Sequence, residues 1–252
     1  MDRARLPGIW NLVSVAKQGL AQILFPGTCL LCSKLLTLDD RDFCANCLGA
    51  LTMDPHCTCP RCAATVGPFT SLTNGCPLCR DERFHFDRVF RLGPYDGPLR
   101  QAILRMKHRA GEGLADAVGD AWSGPLATKL REIGTSIVLP TPLHWWRRWR
   151  RGFNQSESLA RPLATRLCVP CSTGVLVRIR NTASQVQQTA LGRRDNLRGA
   201  FAVRRKTDVV GRTVALVDDV FTTGSTANEA AKALRQAGAI GVIVAVLAHS
   251  QQ

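Results

Sequence analysis

Acidic residues are scarce in this 252-residue chain: 19 Asp and Glu face 33 Lys and Arg, which leaves a formal net charge of +14 and a sequence pI near 9.9. That shortage points to anionic partners, phosphates or nucleic acid among them. Long apolar runs are missing as well, and no stretch approaches the ~18 residues that a membrane-crossing helix needs. Nor does an unbroken apolar run of roughly 7 to 15 residues follow Arg3 and Arg5, because Lys17 and Gln18 interrupt it, so no secretory leader is expected. Apolar residues themselves are not lacking: 45% hydrophobic against 21% charged excludes a wholly disordered chain and allows one sizeable globular domain with a small satellite. The expectation is a cytoplasmic chain without membrane insertion, in whose reducing compartment cysteines serve more often as ligands than as disulfides.

Within residues 1–28, Ile9, Val13, Ala16, Leu20 and Ile23 recur at steps of four and three, the stripe of an amphipathic helix. Cysteines come next. Nine of the 11 fall between positions 29 and 79, and eight of these form C-x-x-C pairs: Cys29/Cys32, Cys44/Cys47, Cys59/Cys62 and Cys76/Cys79. Each such turn brings two thiolates to one side of a tight loop, and two turns facing each other make the tetrahedral sulfur cage that Zn2+ prefers. The predicted unit is a double zinc-ribbon module over 29–83 holding two structural Zn2+ ions. Four thiolates leave no open position for water, so zinc catalysis is not expected. Neighbouring pairs give the simplest ligand sets, with an interleaved pairing as the alternative. Cys57 and the Cys168/Cys171 pair are read as bystanders.

From 84 to 252 the pattern changes to that of an α/β domain. A short strand and a turn at 93–98 precede a helix with Leu99, Ile103 and Met106 on one face; a second helix is expected around Ala115 to Leu130, and a strand at 136–139 runs into Pro140-Thr141-Pro142. Val214-Ala215-Leu216-Val217 reads as a buried parallel strand. It is followed by Asp218-Asp219 and then by Thr222-Thr223-Gly224-Ser225-Thr226, after which a helix starts, with Thr226 and Glu229 spaced as a capping box, Gly238 placed to stop it and a last strand over 241–248. Small residues and a glycine let backbone N–H groups and hydroxyls close on a phosphate at a helix N-terminus. Two acids beside a phosphate site suit sugar hydroxyls or Mg2+. Together they suggest a sugar phosphate with free vicinal hydroxyls.

The segment 216–226 resembles the phosphoribosyl pyrophosphate (PRPP) motif of type I phosphoribosyltransferases. More narrowly, the chain resembles the ComF family, competence-associated phosphoribosyltransferase-like proteins that include the GntX type. The resemblance rests on the cysteine block, Tyr95 to Lys107, Pro140 to Gln155, the series Thr182, Gln185, Leu191, Arg194, Asn196 and Gly199-Ala200-Phe201, and the PRPP loop. It implies a type I phosphoribosyltransferase-like open parallel sheet behind the zinc module. It also implies Mg2+-dependent PRPP binding, with Asp218 and Asp219 on the ribose hydroxyls and Thr222 to Thr226 around the 5-phosphate. Pro140, Thr141 and Pro142 would sit at the pyrophosphate, under a hood formed by 180–198 in which Arg193, Arg194 and Arg198 neutralise it, together with Arg151. A role in DNA uptake and natural transformation, beside the uptake machinery, is implied too. The alternative is an active phosphoribosyltransferase of nucleotide or sugar metabolism with an unknown acceptor.

Between Leu139 and Lys206, 14 Arg or Lys face only Glu157 and Asp195. The densest part is Trp145, Trp146, Arg147, Arg148, Trp149, Arg150 and Arg151. Indoles stack on unpaired bases while guanidinium groups bind phosphates, so single-stranded DNA is the expected partner. Against it stands a reading in which the indoles pack a core or an interface and the arginines serve pyrophosphate.

Overall fold

The computed structural model describes residues 27–37, 39–180 and 197–250. The stripe expected within 1–28 and most of the hood, Arg193 and Arg194 included, lie outside the described residues. The chain divides into two compact units, 1–49 and 50–252.

In the first unit a knuckle is closed by Cys29 N–H donating to the Lys34 carbonyl (2.8 Å) and Ser33 N–H to the Cys29 carbonyl (2.9 Å). Helix α1, Ala45–Thr52, begins just after Cys44. The second unit repeats the knuckle: Cys59 N–H donates to the Ala64 carbonyl (2.8 Å) and Ala63 N–H to that of Cys59 (2.9 Å). Ser33 and Ala63 even share a left-handed backbone, at φ 61° and 59°.

The second unit continues with β1 (Arg88–Pro94), α2 (Gly97–Met106), α3 (Glu112–Glu132), β2 (Ile137–Pro140), α4 (Trp145–Arg151), α5 (Gln155–Leu167), β3 (Leu176–Arg178), β4 (Phe201–Val203), β5 (Thr213–Phe221), α6 (Ser225–Gln236) and β6 (Gly241–His249). The four-stranded sheet has the order β1-β6-β5-β2, every pair parallel. This is the open parallel sheet expected from the sequence. β3 and β4 form a separate antiparallel pair.

Strand side chains alternate between faces. Ile137, Leu139, Val214, Leu216, Val242, Val244 and Val246 join one core with Ala227, Ala230, Ala231 and Leu234 of α6. The intervening residues serve the other face, where α5 packs on β2 and β5 and crosses α3. The chain therefore leaves β5 toward one face and β2 toward the other, which opens a crevice at their carboxyl ends. The second knuckle is tied to this body: Val89 N–H donates to the Arg61 carbonyl (3.1 Å), and Ala63 belongs to the same core as α6.

The capping box between Thr226 and Glu229 does not form. Helix α6 starts two residues earlier than that box requires, with Gly224 rather than Thr226 as its N-cap, and Glu229 Oε2 instead accepts from Gly199 N–H at 3.1 Å. A tertiary partner thus takes the carboxylate that the local pattern assigned to the cap. No helix among the described residues is long and apolar enough to cross a membrane.

The crossing of α3 and α5 is close enough that a Cβ at Gly119 would stand 2.5 Å from the Ser158 carbonyl oxygen. Gly119→Ala is therefore expected to lower the thermal midpoint by a few degrees, since overpacking of about 1–3 kcal/mol outweighs the propensity gain of roughly 1 kcal/mol. Gly113→Ala, where a Cβ meets nothing within 4 Å, should be neutral or stabilising in the same calorimetric scan.

Candidate functional site

At the crevice, β5 continues beyond its apolar run through Asp218 and Asp219 to Phe221. The strand outlasts the apolar pattern because both acids find partners in the first turn of α5. Ser156 Oγ donates to Asp218 Oδ1 (3.2 Å), and Gln155 Nε2 donates to Asp219 Oδ2 (3.2 Å). Lys107, just past α2, adds an ion pair to Asp219 at 2.9 Å. Burial and the neighbouring Asp219 charge push Asp218 up to about 7. Burial also acts upward on Asp219, but Lys107 and Gln155 outweigh it and hold that carboxyl below the usual range. One carboxylate is thus fixed as an anion while its neighbour holds a proton more readily.

A cleft of about 270 Å³ opens over this pair. Thr141, Pro142, Thr222 and Thr226 line it with the two acids, and Lys107, Arg147, Arg151 and Arg178 supply positive charge. Thr141 Oγ1 is buried without a hydrogen-bond partner. Its backbone is fixed on both sides, the N–H donating to the Val217 carbonyl (2.8 Å) and the carbonyl accepting from Asn154 Nδ2 (3.1 Å). Arg151 reaches Gln155 Oε1 at 2.9 Å. Burial, helped by the neighbouring Arg147 charge, holds both Arg151 and Arg178 below the usual guanidinium range.

The loop expected to hold a phosphate is divided between two cavities. Thr222 and Thr226 face the cleft, whereas Thr223, Gly224 and Ser225 line a second cavity of about 340 Å³ opposite residues 81–84. Thr223 Oγ1 and Ser225 Oγ lie 2.8 Å apart. Gly224 has φ 73°, and a Cβ there would stand 2.5 Å from the Phe221 ring. Glycine is therefore required on two counts, backbone conformation and close approach.

Pro140 ends β2, buried behind the cleft wall. Arg198 is exposed, and its carbonyl accepts from Arg180 Nη1 (2.8 Å). Sequence reasoning had not singled out Lys107, Gln155, Ser156 or Arg178 as site residues, and it had placed Arg147 with nucleic acid rather than in the cleft.

Helix α4 buries none of its residues. Trp145, Trp146 and Trp149 are 68%, 49% and 72% exposed, and the rings of Trp146 and Trp149 stack at 5.4 Å. The indoles do not pack a core. Arg148 pairs with the buried carboxylate of Glu157 at 2.6 Å, while Arg150 is exposed.

Each cysteine set converges. Cys29, Cys32, Cys44 and Cys47 form one tetrad and Cys59, Cys62, Cys76 and Cys79 another, with all sulfurs of a set within 4.8 Å of one another. The neighbouring pairing holds, not the interleaved one. Sulfurs at 3.7 Å (Cys32–Cys44), 3.7 Å (Cys59–Cys79), 3.6 Å (Cys62–Cys76) and 3.8 Å (Cys76–Cys79) match the edge of about 3.8 Å of a tetrahedron with Zn–S of ~2.3 Å. Both tetrads could hold a zinc ion. Cys57 is exposed and belongs to neither.

The family model of the phosphoribosyl transferase domain matches residues 154–252. The DNA utilization protein YhgH of Escherichia coli O157:H7 is 34% identical over 222 residues, 87% of this chain and 95% of that one. Competence protein F of Haemophilus influenzae is 31% identical over 215 residues, 83% of this chain and 91% of that one.

The raised Asp218 predicts a pH dependence. Its proton stabilises the unliganded fold fully below the unfolded value near 3.8, and that contribution disappears as pH rises through about 7. Between pH 5 and 8 the wild-type midpoint should therefore fall relative to Asp218→Asn; parallel curves for the two would refute the shift. Cys59→Ser should cost the protein one bound zinc by elemental analysis and should lower the midpoint of the unit 50–252, to which that tetrad belongs.

Proposed function

This chain belongs to the ComF family of competence-associated phosphoribosyltransferase-like proteins, and from that membership and the chemistry of its cleft we propose that it binds Mg-PRPP beside a surface for single-stranded DNA. The observation that carries the reading is the pairing, in one cleft, of two partnered carboxylates with four cationic side chains and an unpartnered buried hydroxyl. Carboxylates suit the ribose 2- and 3-hydroxyls, and Thr222 and Thr226 suit the 5-phosphate. Lys107, Arg147, Arg151, Arg178 and the Thr141 hydroxyl suit the pyrophosphate.

Mg2+ bound with PRPP would neutralise pyrophosphate charge. Either carboxylate could reach it, because the two hydrogen bonds of Asp218 both use Oδ1 and the two contacts of Asp219 both use Oδ2, so that each acid turns its other oxygen to the remaining space. Arg193, Arg194 and Arg198 of the hood are assigned to charge neutralisation once the ligand is bound. The exposed indoles with Arg147 and Arg150 beside them support the DNA surface. The names of the relatives, a DNA utilization protein and a competence protein, support a role in DNA uptake, which this reading assigns to the cytoplasm.

Two titrations test the proposal. Calorimetry of Mg-PRPP into zinc-loaded protein should give saturable binding that Asp218→Ala/Asp219→Ala loses; heat that is equal in both would remove the carboxylates from the site. Fluorescence anisotropy of labelled oligothymidylate should weaken for Trp149→Ala by about 1–3 kcal/mol, the worth of one stacked base, and unchanged affinity would remove α4 from the interface. Pyrophosphate appearing only when an acceptor is added would turn the binding protein into a transferase.

A further inference from the structure

Helix α4 borders the cleft and also carries the exposed indoles, and Arg147 stands at both. It begins and ends at the cleft: Pro142 and Leu143 line the cleft just before it, and Arg151, its last residue, lines it again. Gln155 joins Arg151 to Asp219, with contacts of 2.9 Å and 3.2 Å. Arg147, between the exposed Trp146 and Trp149, also lines the cleft. Of the four arginines on the helix, Arg148 is committed to Glu157, Arg147 and Arg151 to the cleft, and Arg150 alone is exposed outside both roles.

Resting on the PRPP and DNA assignments above, we propose that the two ligands antagonise each other through α4, so that filling the cleft with a diphosphate releases single-stranded DNA from the tryptophan face. The physical reason is arithmetic in charge. With the cleft empty, Arg147 and Arg150 flank the indoles and serve DNA phosphates. With a diphosphate bound, Arg147 is drawn into the cleft and a multiply charged anion lies under the helix, within reach of the DNA backbone at a Debye length of about 8 Å. The indoles keep their stacking surface but lose half of the adjacent positive charge. Linkage then requires that DNA weaken the diphosphate by the same factor.

The experiment measures oligothymidylate affinity by anisotropy over a range of salt, for zinc-loaded wild type alone, with saturating Mg-PRPP, and with ribose 5-phosphate, which lacks the diphosphate. Mg-PRPP should weaken DNA binding about tenfold and lower the slope of log affinity against log salt by about 0.7, the share of one phosphate contact on a single strand. Ribose 5-phosphate should change affinity less than twofold. Arg147→Ala should bind DNA more weakly at the outset and respond to Mg-PRPP less than twofold. If both ligands bind separately and Mg-PRPP leaves DNA affinity unchanged or tightens it, the antagonism is overturned while the binding assignments stand. If either ligand fails to bind alone, the assignments fall and the antagonism with them.

Discussion

Everything at the cleft depends on keeping two adjacent carboxylates at the end of a buried strand. Two like charges on consecutive residues repel in a low-dielectric setting, and burial works against both. The fold meets this with the first turn of α5, a run of polar residues that is almost fully buried: Asn154, Gln155, Ser156, Glu157 and Ser158. Asn154 caps the helix and holds the Thr141 carbonyl, Gln155 bridges Asp219 to Arg151, Ser156 serves Asp218, and Glu157 receives Arg148. A single helical turn thereby fixes the acids, the wall that carries Thr141 and the tryptophan-bearing helix.

That same turn marks where sequence reasoning stopped. The parallel sheet, the acid pair, the glycine-bearing loop and the eight cysteine ligands were legible because each is written in a short window: an apolar run, a motif, a spacing. Lys107, Ser156 and Arg178 were not, because they come to the cleft from distant parts of the chain, across 62 residues in the case of Ser156 and Asp218, and no local pattern announces such a meeting. The buried polar run at 154–158 is the one signal that pointed there, since a helix start made of amides and hydroxyls resembles an exposed end until its partners are known. Glu229 illustrates the opposite error, a local pattern overruled by the distant Gly199. The tryptophans were undecidable for another reason: composition says that indoles cluster, but only a seven-residue helix with no buried face says that they meet solvent.

The loop at 222–226 is carried from below by an aromatic column. Phe221 lies beneath Gly224 and meets Phe86 edge-on at 5.8 Å; Phe86 stacks on Phe84 at 4.4 Å, and Arg61 of the second knuckle stands over Phe84 at 5.2 Å. Arg61 also donates to the Cys79 carbonyl at 2.6 Å. The tetrad at Cys59 is thus part of the footing of the loop as well as a set of sulfurs that could hold a metal ion.

The two tetrads share a knuckle but not an environment. Cys59, Cys62, Cys76 and Cys79 are all buried, whereas in the other set Cys32 is exposed and Cys47 partly so. Chelators and oxidants reach sulfur by access. With zinc in both, metal scarcity or peroxide therefore strikes the tetrad at Cys29 before the tetrad at Cys59, so that damage to this protein proceeds in two stages, with the amino-terminal knuckle giving way ahead of the one beneath the glycine-bearing loop.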